Sequence, residues 1–322
     1  MAIPVNLYSR RSLKGDAEDV IDAITNTDQE ETPVLSSIGR AKAKATFHQY
    51  QRDAFRAAND ENAAIDGDDA AFAARTPTTL VGNHCQTFQD SLVVSGRADK
   101  IKKYGRDNEF EYQRAKAMLE IKRDIEKRLV SSKGAQLDVL NATAGKFAGA
   151  GAMIYSNVSH GVGGSTPAHT TGAQTAVPVV GTLRAFSIGL LSAAQEQAFN
   201  SVGRSPPVLV MSASHKTQFS AFPGLAANRW DIDGDKQGRV VGGADVFVGN
   251  FGKMIVVPHY LMGGANTVFG FNYEYMKMAY LRPYVENMLG TTGDSRKMQI
   301  LIDGTLQMKA ENVHIKISDL IV

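Results

Sequence analysis

The residues with the most obvious chemical promise are acidic. Asp66, Asp68 and Asp69 crowd a glycine in "AIDGDDAAFAARTPTTLVGN", and Asp231, Asp233 and Asp235 repeat the theme in "DIDGDKQGR". Carboxylates at alternating loop positions are how proteins hold a hard cation, which needs many oxygen donors and commonly a closing bidentate glutamate. Neither run completes that pattern. The first continues into Ala70, Ala71, Phe72 and Ala73; the second has Gly234 too early and Gly242 where the glutamate belongs. Both read as acidic turns, and the first also reads as a surface for another chain. "GKFAGAG" invites a phosphate-loop reading, but Leu140 takes the leading glycine position and Phe147 replaces the required hydroxyl residue. Cys85 is the single cysteine, so an intrachain disulfide or a multi-thiolate site is excluded. Its neighbour His84 would face the other side of a strand. The histidines, including His48, His84, His160 and His169, are scattered without an HExxH pair, and no GxSxG elbow occurs. The expectation is no catalytic, cofactor or metal site.

Composition supports a folded chain. Of 322 residues, 43% are apolar and 21% charged, and the net charge of +2 argues against a dedicated nucleic-acid domain. Arg10, Arg11 and Lys14 form a small basic patch, either a solvated terminus or a contact with nucleic acid or an acidic neighbouring surface. No apolar run approaches the ~20 residues of a membrane span. "MAIPVNLYSRRSLKG" lacks the look of a signal peptide, so folding in a cytoplasm is expected.

Certain elements must position these residues. "GDAEDVIDAIT", capped by Asp16, and "ETPVLSSIG", with Thr32 as cap and Pro33 at the first position, predict two short helices without a private core. Alternation in "AKATFHQYQR" and in "CQTFQDSLVVSG" predicts two strands, joined by some 30 irregular residues as a projecting hairpin. "DNEFEYQRAKAMLEIKRDIEKRLVSS" predicts a long helix capped by Asp107, with Phe110, Met118, Ile121, Ile125 and Leu129 inward. The glycine-rich residues 141–180 predict a long loop or flexible insert. A second helix, "GTLRAFSIGLLSAAQEQAFNSVG", should bury Leu183, Phe186, Leu190 and Phe199 and leads to the strand "VLVM". A hairpin over "ADVFVGNFGKMIVVPHY", turning near Gly249 to Gly252, and strands in "YEYMKMAYLRPYV" and "RKMQILIDGTLQMKAENVHIKI" complete an α+β chain.

This order of parts resembles the major capsid proteins of tailed bacteriophages with the Hong Kong 97-type fold. The stretches carrying the likeness include "TNTDQEETPVLSSIGRAKAKATFHQYQRD", "DGDDAAFAARTPTTLVGNHCQTF", "VSGRADKIKKYGRDNEFEYQRAKAMLEIKRDIE" and "TTGDSRKMQILIDGTLQMKAEN". The resemblance implies an N-terminal arm over 1–44, an extended loop over 45–97, and a peripheral domain with spine helix and glycine-rich insert over 98–179. An axial domain over 180–265 and a return to the peripheral domain over 266–322 follow. It also implies self-assembly into hexamers and pentamers that close an icosahedral head around double-stranded DNA, contacted non-specifically. Scaffolding, portal and cement or decoration proteins are the implied partners, the virion capsid the location and the host cytoplasm the place of assembly.

On that reading Asp66, Asp68, Asp69, Phe72, Arg75, Leu80, Val81 and Phe88 are candidate contacts between subunits. Arg10, Arg11 and Lys14 are placed towards the inner face, near DNA. The tip has no lysine to offer for a covalent staple. Two other readings stand: an encapsulin-like cellular shell protein, and an α+β enzyme or ligand-binding protein with a concave polar pocket.

Overall fold

The computed structural model describes residues 25–322, except 27, 68, 70–71, 223–229, 232–238 and 241–244. The helix expected near Asp16, the Arg10, Arg11 and Lys14 patch, Asp68, Asp233 and Asp235 fall outside the described residues.

The described chain opens with α1 (Pro33–Ser37), β1 (Gly39–Lys42), β2 (Phe47–Arg52), β3 (Thr79–His84), β4 (Gln86–Ser95) and α2 (Gly96–Lys100). The long α3 (Glu109–Leu129) follows, then α4 (Ala150–Met153), β5 (Val158–Ser159), β6 (Gly172–Ala173), α5 (Ile188–Val202), β7 (Val208–Met211) and α6 (Ala213–Ser220). The last part holds β8 (Trp230–Asp231), β9 (Arg239–Val240), β10 (Val246–Gly249), β11 (Gly252–Pro258), β12 (Val268–Phe271), β13 (Met276–Leu289), β14 (Ser295–Met308) and β15 (Ile315–Ile317).

Two hydrophobic cores organise these elements. The first sandwiches α3 against a sheet of order β1-β13-β14-β4. Its helix contributes Phe110, Ile121, Ile125 and Leu129, as helical spacing predicts. The cap is Asn108 rather than Asp107: its side chain accepts the Glu111 N–H at 3.2 Å. Glu109 and Glu111 in the first turn and Lys127 and Arg128 in the last complement the helix dipole. Arg114 grips Glu286 of β13 through two nitrogens, at 3.0 and 2.8 Å, which fixes the helix along the sheet. The partner strands β13 and β14 have 14 residues each and at ~3.3 Å per residue span roughly 46 Å. Their register shifts between Arg282 and Val285. Pro283, unable to donate to a ladder, sits in that irregularity, where a strand tolerates it.

The second core packs α5 and α6 on a sheet of order β10-β11-β7-β12-β15-β5. Ser187 caps α5 by accepting the Leu190 N–H, and Gly203 ends it at φ 74°, a left-handed conformation that suits a residue without a side chain. The buried face of α5 differs from the expected one. Of the residues expected inward, Phe186 is buried in this core just ahead of the helix, Leu190 lies at the margin, and Leu183 and Phe199 are exposed; α5 itself turns Leu191, Ala194, Gln195 and Ala198 inward. Small alanines let the helix approach the sheet, and the large Phe199 meets Phe251 outside instead, ring centres 5.1 Å apart.

Residues 141–180 are mostly irregular, as a long loop would be, but one stretch within them is no flexible insert. Phe147, Ala148, Ala150, Gly151, Ala152, Met153 and Ile154 are wholly buried in the first core. The small residues serve close packing rather than flexibility. A Cβ on Gly149 would lie 2.3 Å from the Ser131 carbonyl oxygen, a contact no side chain can make without displacing the backbone.

The third feature is a projecting sheet of order β2-β3-β6. Here the expected strand pairing is corrected. β2 pairs antiparallel with β3, from Phe47 opposite His84 to Arg52 opposite Thr79. β4, expected as the partner, instead pairs with β14 in the main sheet. The chain turns from one sheet to the other at Cys85, whose N–H bonds the Thr46 carbonyl at 2.7 Å.

Candidate functional site

A rigid base carries the projecting hairpin. Asn83 is completely buried, donates through its amide nitrogen to the carbonyls of Ala148 (3.2 Å) and Leu306 (3.1 Å), and accepts the Ala148 N–H at 2.8 Å. One side chain thus ties β3 to the glycine-rich segment and to β14. Arg52 donates to the carbonyls of Met308 and Lys309, both at 3.1 Å, and the Tyr50 hydroxyl accepts the Met308 N–H at 3.3 Å. Satisfying these buried polar groups specifies one orientation for the hairpin, because an unpaired one costs about 1–3 kcal/mol.

Beyond the base, the described residues of 53–78 form an irregular excursion. Among them the hydrogen bonds are local, as from Ala54 N–H to Asp53 (2.9 Å), Glu61 N–H to Asn59 (3.1 Å) and Ala63 N–H to the Glu61 carbonyl (2.8 Å). Phe55, Ile65 and Phe72 are exposed by 103%, 79% and 96%. Three large apolar side chains held in water on one loop are not those of a loop folded back on its own subunit. Asp66, Asp69 and Arg75 are exposed beside them.

The expected contact residues therefore separate. Phe72, Arg75, Asp66 and Asp69 lie in the open, and Leu80 at the hairpin's edge is 43% exposed. Val81 and Phe88 do not belong with them. They are 0% and 7% exposed, buried by their own subunit, Phe88 with its ring centre 6.0 Å from that of Phe147. The pattern of strand alternation around β3 and β4 was compatible with either face, and the β3-to-β4 switch of sheets puts both residues inward.

Sequence reasoning missed a second site. Glu126 of α3, fully buried, accepts the N–H groups of Val34 (2.8 Å) and Leu35 (2.7 Å) at the start of α1. It also accepts from His259 Nε2 at 2.8 Å. Thr32, the expected cap of α1, makes no capping bond; a carboxylate 92 positions away in sequence does its work. The available signal was a glutamate next to Ile125 and three residues before Leu129, on the apolar face of the helix. Glu126 joins α1, α3 and the segment after β11 at a single point.

The cleft around Cys85 holds about 280 Å³ and is lined also by His84, Asp138 and Asp303. Its chemistry is quiet. Burial, with Asp303 second, pushes the Cys85 thiol up to about 11, so the nucleophilic thiolate is scarce. Asp303 is engaged by Arg282. The convergent nucleophile and base that the enzyme reading needs are not assembled here.

Comparison with known proteins bears on this architecture. A family model described as SU10 major capsid protein matches residues 6–320. The major capsid protein of Escherichia phage Phieco32 is 35% identical over 111 residues, 34% of this chain and 31% of that protein, so the chain matches about a third of that relative's length. Among solved structures, the Cyanophage A-1(L) capsid asymmetric unit superimposes with TM-score 0.63 at 13% identity, over 98% of this chain and 99% of the other. A Phage G structure of major capsid and decoration proteins gives TM-score 0.51 at 10% identity, over 99% of each chain. At such identities the likeness is one of fold, and that fold is the expected Hong Kong 97-type α+β architecture.

Proposed function

The chain belongs to the SU10 major capsid protein family, and from that premise we propose that it assembles with copies of itself into hexamers and pentamers closing an icosahedral, DNA-containing phage head. The observation that carries the proposal is the 53–78 excursion, with its exposed aromatics on a rigid base. A loop that exposes Phe55, Ile65 and Phe72 in the single subunit gains by burial against another chain, at ~25 cal/mol per Å² of apolar surface covered. Asp66, Asp68, Asp69, Phe72, Arg75 and Leu80 form the contact surface in this reading.

Residues 1–44 serve as the arm, and the extended loop within 45–97 narrows to the β2–β3 hairpin and its tip. The spine helix and main sheet (98–179 and 266–322) make the peripheral domain, and 180–265 most of the axial domain. Arg10, Arg11 and Lys14 face the packaged DNA and meet phosphates without sequence preference. Shell contacts rather than bulk attraction to DNA drive closure, which suits a net charge of only +2. The Phage G structure, which holds decoration proteins with its major capsid proteins, supplies the precedent for a decoration partner. Assembly takes place in the host cytoplasm and ends in the virion.

Electron microscopy of the purified chain under assembly conditions tests the proposal. Closed shells are expected. A uniformly small species that never assembles, with or without scaffolding and portal partners, contradicts it.

A further inference from the structure

A lysine is buried where the two cores meet. Lys316 of β15 is 1% exposed, and among the described residues no ion pair engages it. Its Nζ donates instead to the Gly151 carbonyl of the first core at 2.6 Å and to Thr166 Oγ1 at 2.5 Å. Asp319, also buried, accepts the Gly161 N–H at 2.9 Å. Thr166 and Gly161 belong to a strap of two stretches, 160–166 and 179–184, laid against β15 and the residues after it. Ser165 and Val179 exchange N–H to carbonyl bonds at 3.1 and 2.8 Å, and the Thr182 N–H donates to the Val162 carbonyl at 2.9 Å. None of the strap's residues is buried, and Val162, Val179 and Val180 are exposed. Hydrogen bonds rather than apolar anchors therefore hold the strap down.

Those bonds form a directed chain through His160. Thr166 Oγ1 accepts from Lys316, which leaves its own hydrogen for His160 Nε2 at 2.9 Å. The ring hydrogen then sits on Nδ1, which faces Ser318 Oγ at 2.8 Å and Asp319 Oδ2 at 3.5 Å. Ser318 passes its hydrogen to the Ser159 carbonyl at 3.4 Å. Every donor in this chain has an acceptor only while the imidazole is neutral.

We propose that His160 is the catch of a proton-operated strap: neutral, it closes 160–166 and 179–184 over β15, and a proton added at Nε2 releases them. The inference concerns the single subunit and does not depend on shell formation. A hydrogen on Nε2 would point at Thr166 Oγ1 and leave the threonine hydrogen without its acceptor. It would also add a positive charge to a place that already holds Lys316 and Arg184 against the one carboxylate of Asp319. Arg184 lies on the strap itself, where it donates to Ser159 Oγ at 2.8 Å. Burial first, and then the Lys316 charge, hold the imidazole below its usual range, with Asp319 opposing them. Burial pushes the Lys316 ammonium down to about 7, so it is charged where His160 would take up its proton. The released ring, in water, accepts that proton near its usual 6.5. Release is therefore favoured as pH falls through that value, and closure is favoured above it.

Amide hydrogen exchange of the full chain as a free subunit tests the catch, with each rate divided by that of an unstructured peptide at the same pH and α3 as internal reference. Between about pH 7.5 and about pH 5.5, protection of 160–166 and 179–184 is expected to fall about three- to tenfold relative to α3, tenfold being close to the ceiling for one imidazole. In His160→Gln the ratio between the two conditions is expected to stay near one. A wild-type strap that ignores pH, or a pH response that survives in His160→Gln, overturns the proposal. Nitrogen NMR of the wild-type imidazole gives an answer that no variant can blur. It is expected to show the hydrogen on Nδ1, a bare Nε2, and titration below the usual 6.5. A hydrogen on Nε2 at neutral pH, or titration at or above that value, rejects His160 as the catch.

Discussion

Glu126 shows how much of this subunit hangs on one carboxylate. It accepts two N–H groups of α1 and one imidazole N–H, so each oxygen is used as an acceptor. In Glu126→Gln one of those oxygens becomes an NH₂ donor facing another donor. The loss of a buried acceptor predicts about 1–3 kcal/mol of destabilisation, measured by urea unfolding. It also predicts release of α1, seen as faster proteolysis between residues 25 and 39 while the rest of the chain stays resistant. An unchanged cleavage rate would show that α1 holds without the carboxylate. Two buried histidines make a pH prediction at the same scale. His314 is driven down to about 3 and His169 to about 4, in both mainly by burial and secondarily by Arg52. His314 Nδ1 also accepts the Asn272 N–H at 3.2 Å, which requires the neutral ring. Their native pKa values lie below the unfolded one, near 6.5. As pH falls below that value the unfolded chain gains protons that the native chain refuses, and stability declines. Each group contributes a slope of up to ~1.4 kcal/mol per pH unit. Urea unfolding of the subunit between about pH 6.5 and 5, where most carboxylates stay ionised, should show the decline, and His314→Gln should make it shallower. A flat profile would place protonated imidazoles in the native core.

At the scale of elements, the hairpin divides into a base that holds the subunit and a tip that does not. Removing 60–85 would excise β3 and the buried Asn83 along with the tip, so a failure to assemble would be ambiguous. Replacing residues 56–76 by a short Gly-Ser linker spares both. The expected result is an unchanged thermal midpoint with loss of closed shells; normal shells would remove the loop from assembly. This division was only half legible in the sequence. Alternation marked β2 and the acidic, alanine-rich run marked an excursion, but the run's last residues, "TLVGN", belong to β3. Strand pairing is non-local, and nothing in Gln86–Ser95 distinguishes a hairpin partner from a strand of the main sheet. α3 was legible because twenty-one residues of helical periodicity average out local ambiguity. α5 was legible as a helix but not in its facing, since alanine on a buried face carries little hydrophobic signal. The glycine-rich segment misled for the same reason. Small residues look alike whether they permit motion or permit close approach, and only the Ser131 backbone against Gly149 decides between them.

For the whole molecule, the arrangement implies two classes of surface with opposite responses to assembly. The two cores are complete within one chain: Asn83, Glu126 and the segment from Phe147 to Ile154 have their partners already. The exposed Phe55, Ile65 and Phe72 of the excursion have no such cover from their own chain. Amide hydrogen exchange reads this difference, because protection follows local opening rather than the stability of the whole. In the free subunit, α3 and β14 should exchange slowly and 53–78 at nearly the rate of an unstructured peptide, since among its described residues no N–H joins a ladder. On assembly, protection should rise sharply in 53–78. The segment from Phe147 to Ile154 should change little, because it is closed before any neighbour arrives. Protection that rises uniformly would mean that assembly completes folding rather than joining finished subunits. Protection that leaves 53–78 unchanged would mean that the loop stays in solvent in the shell and that its aromatics await some other partner.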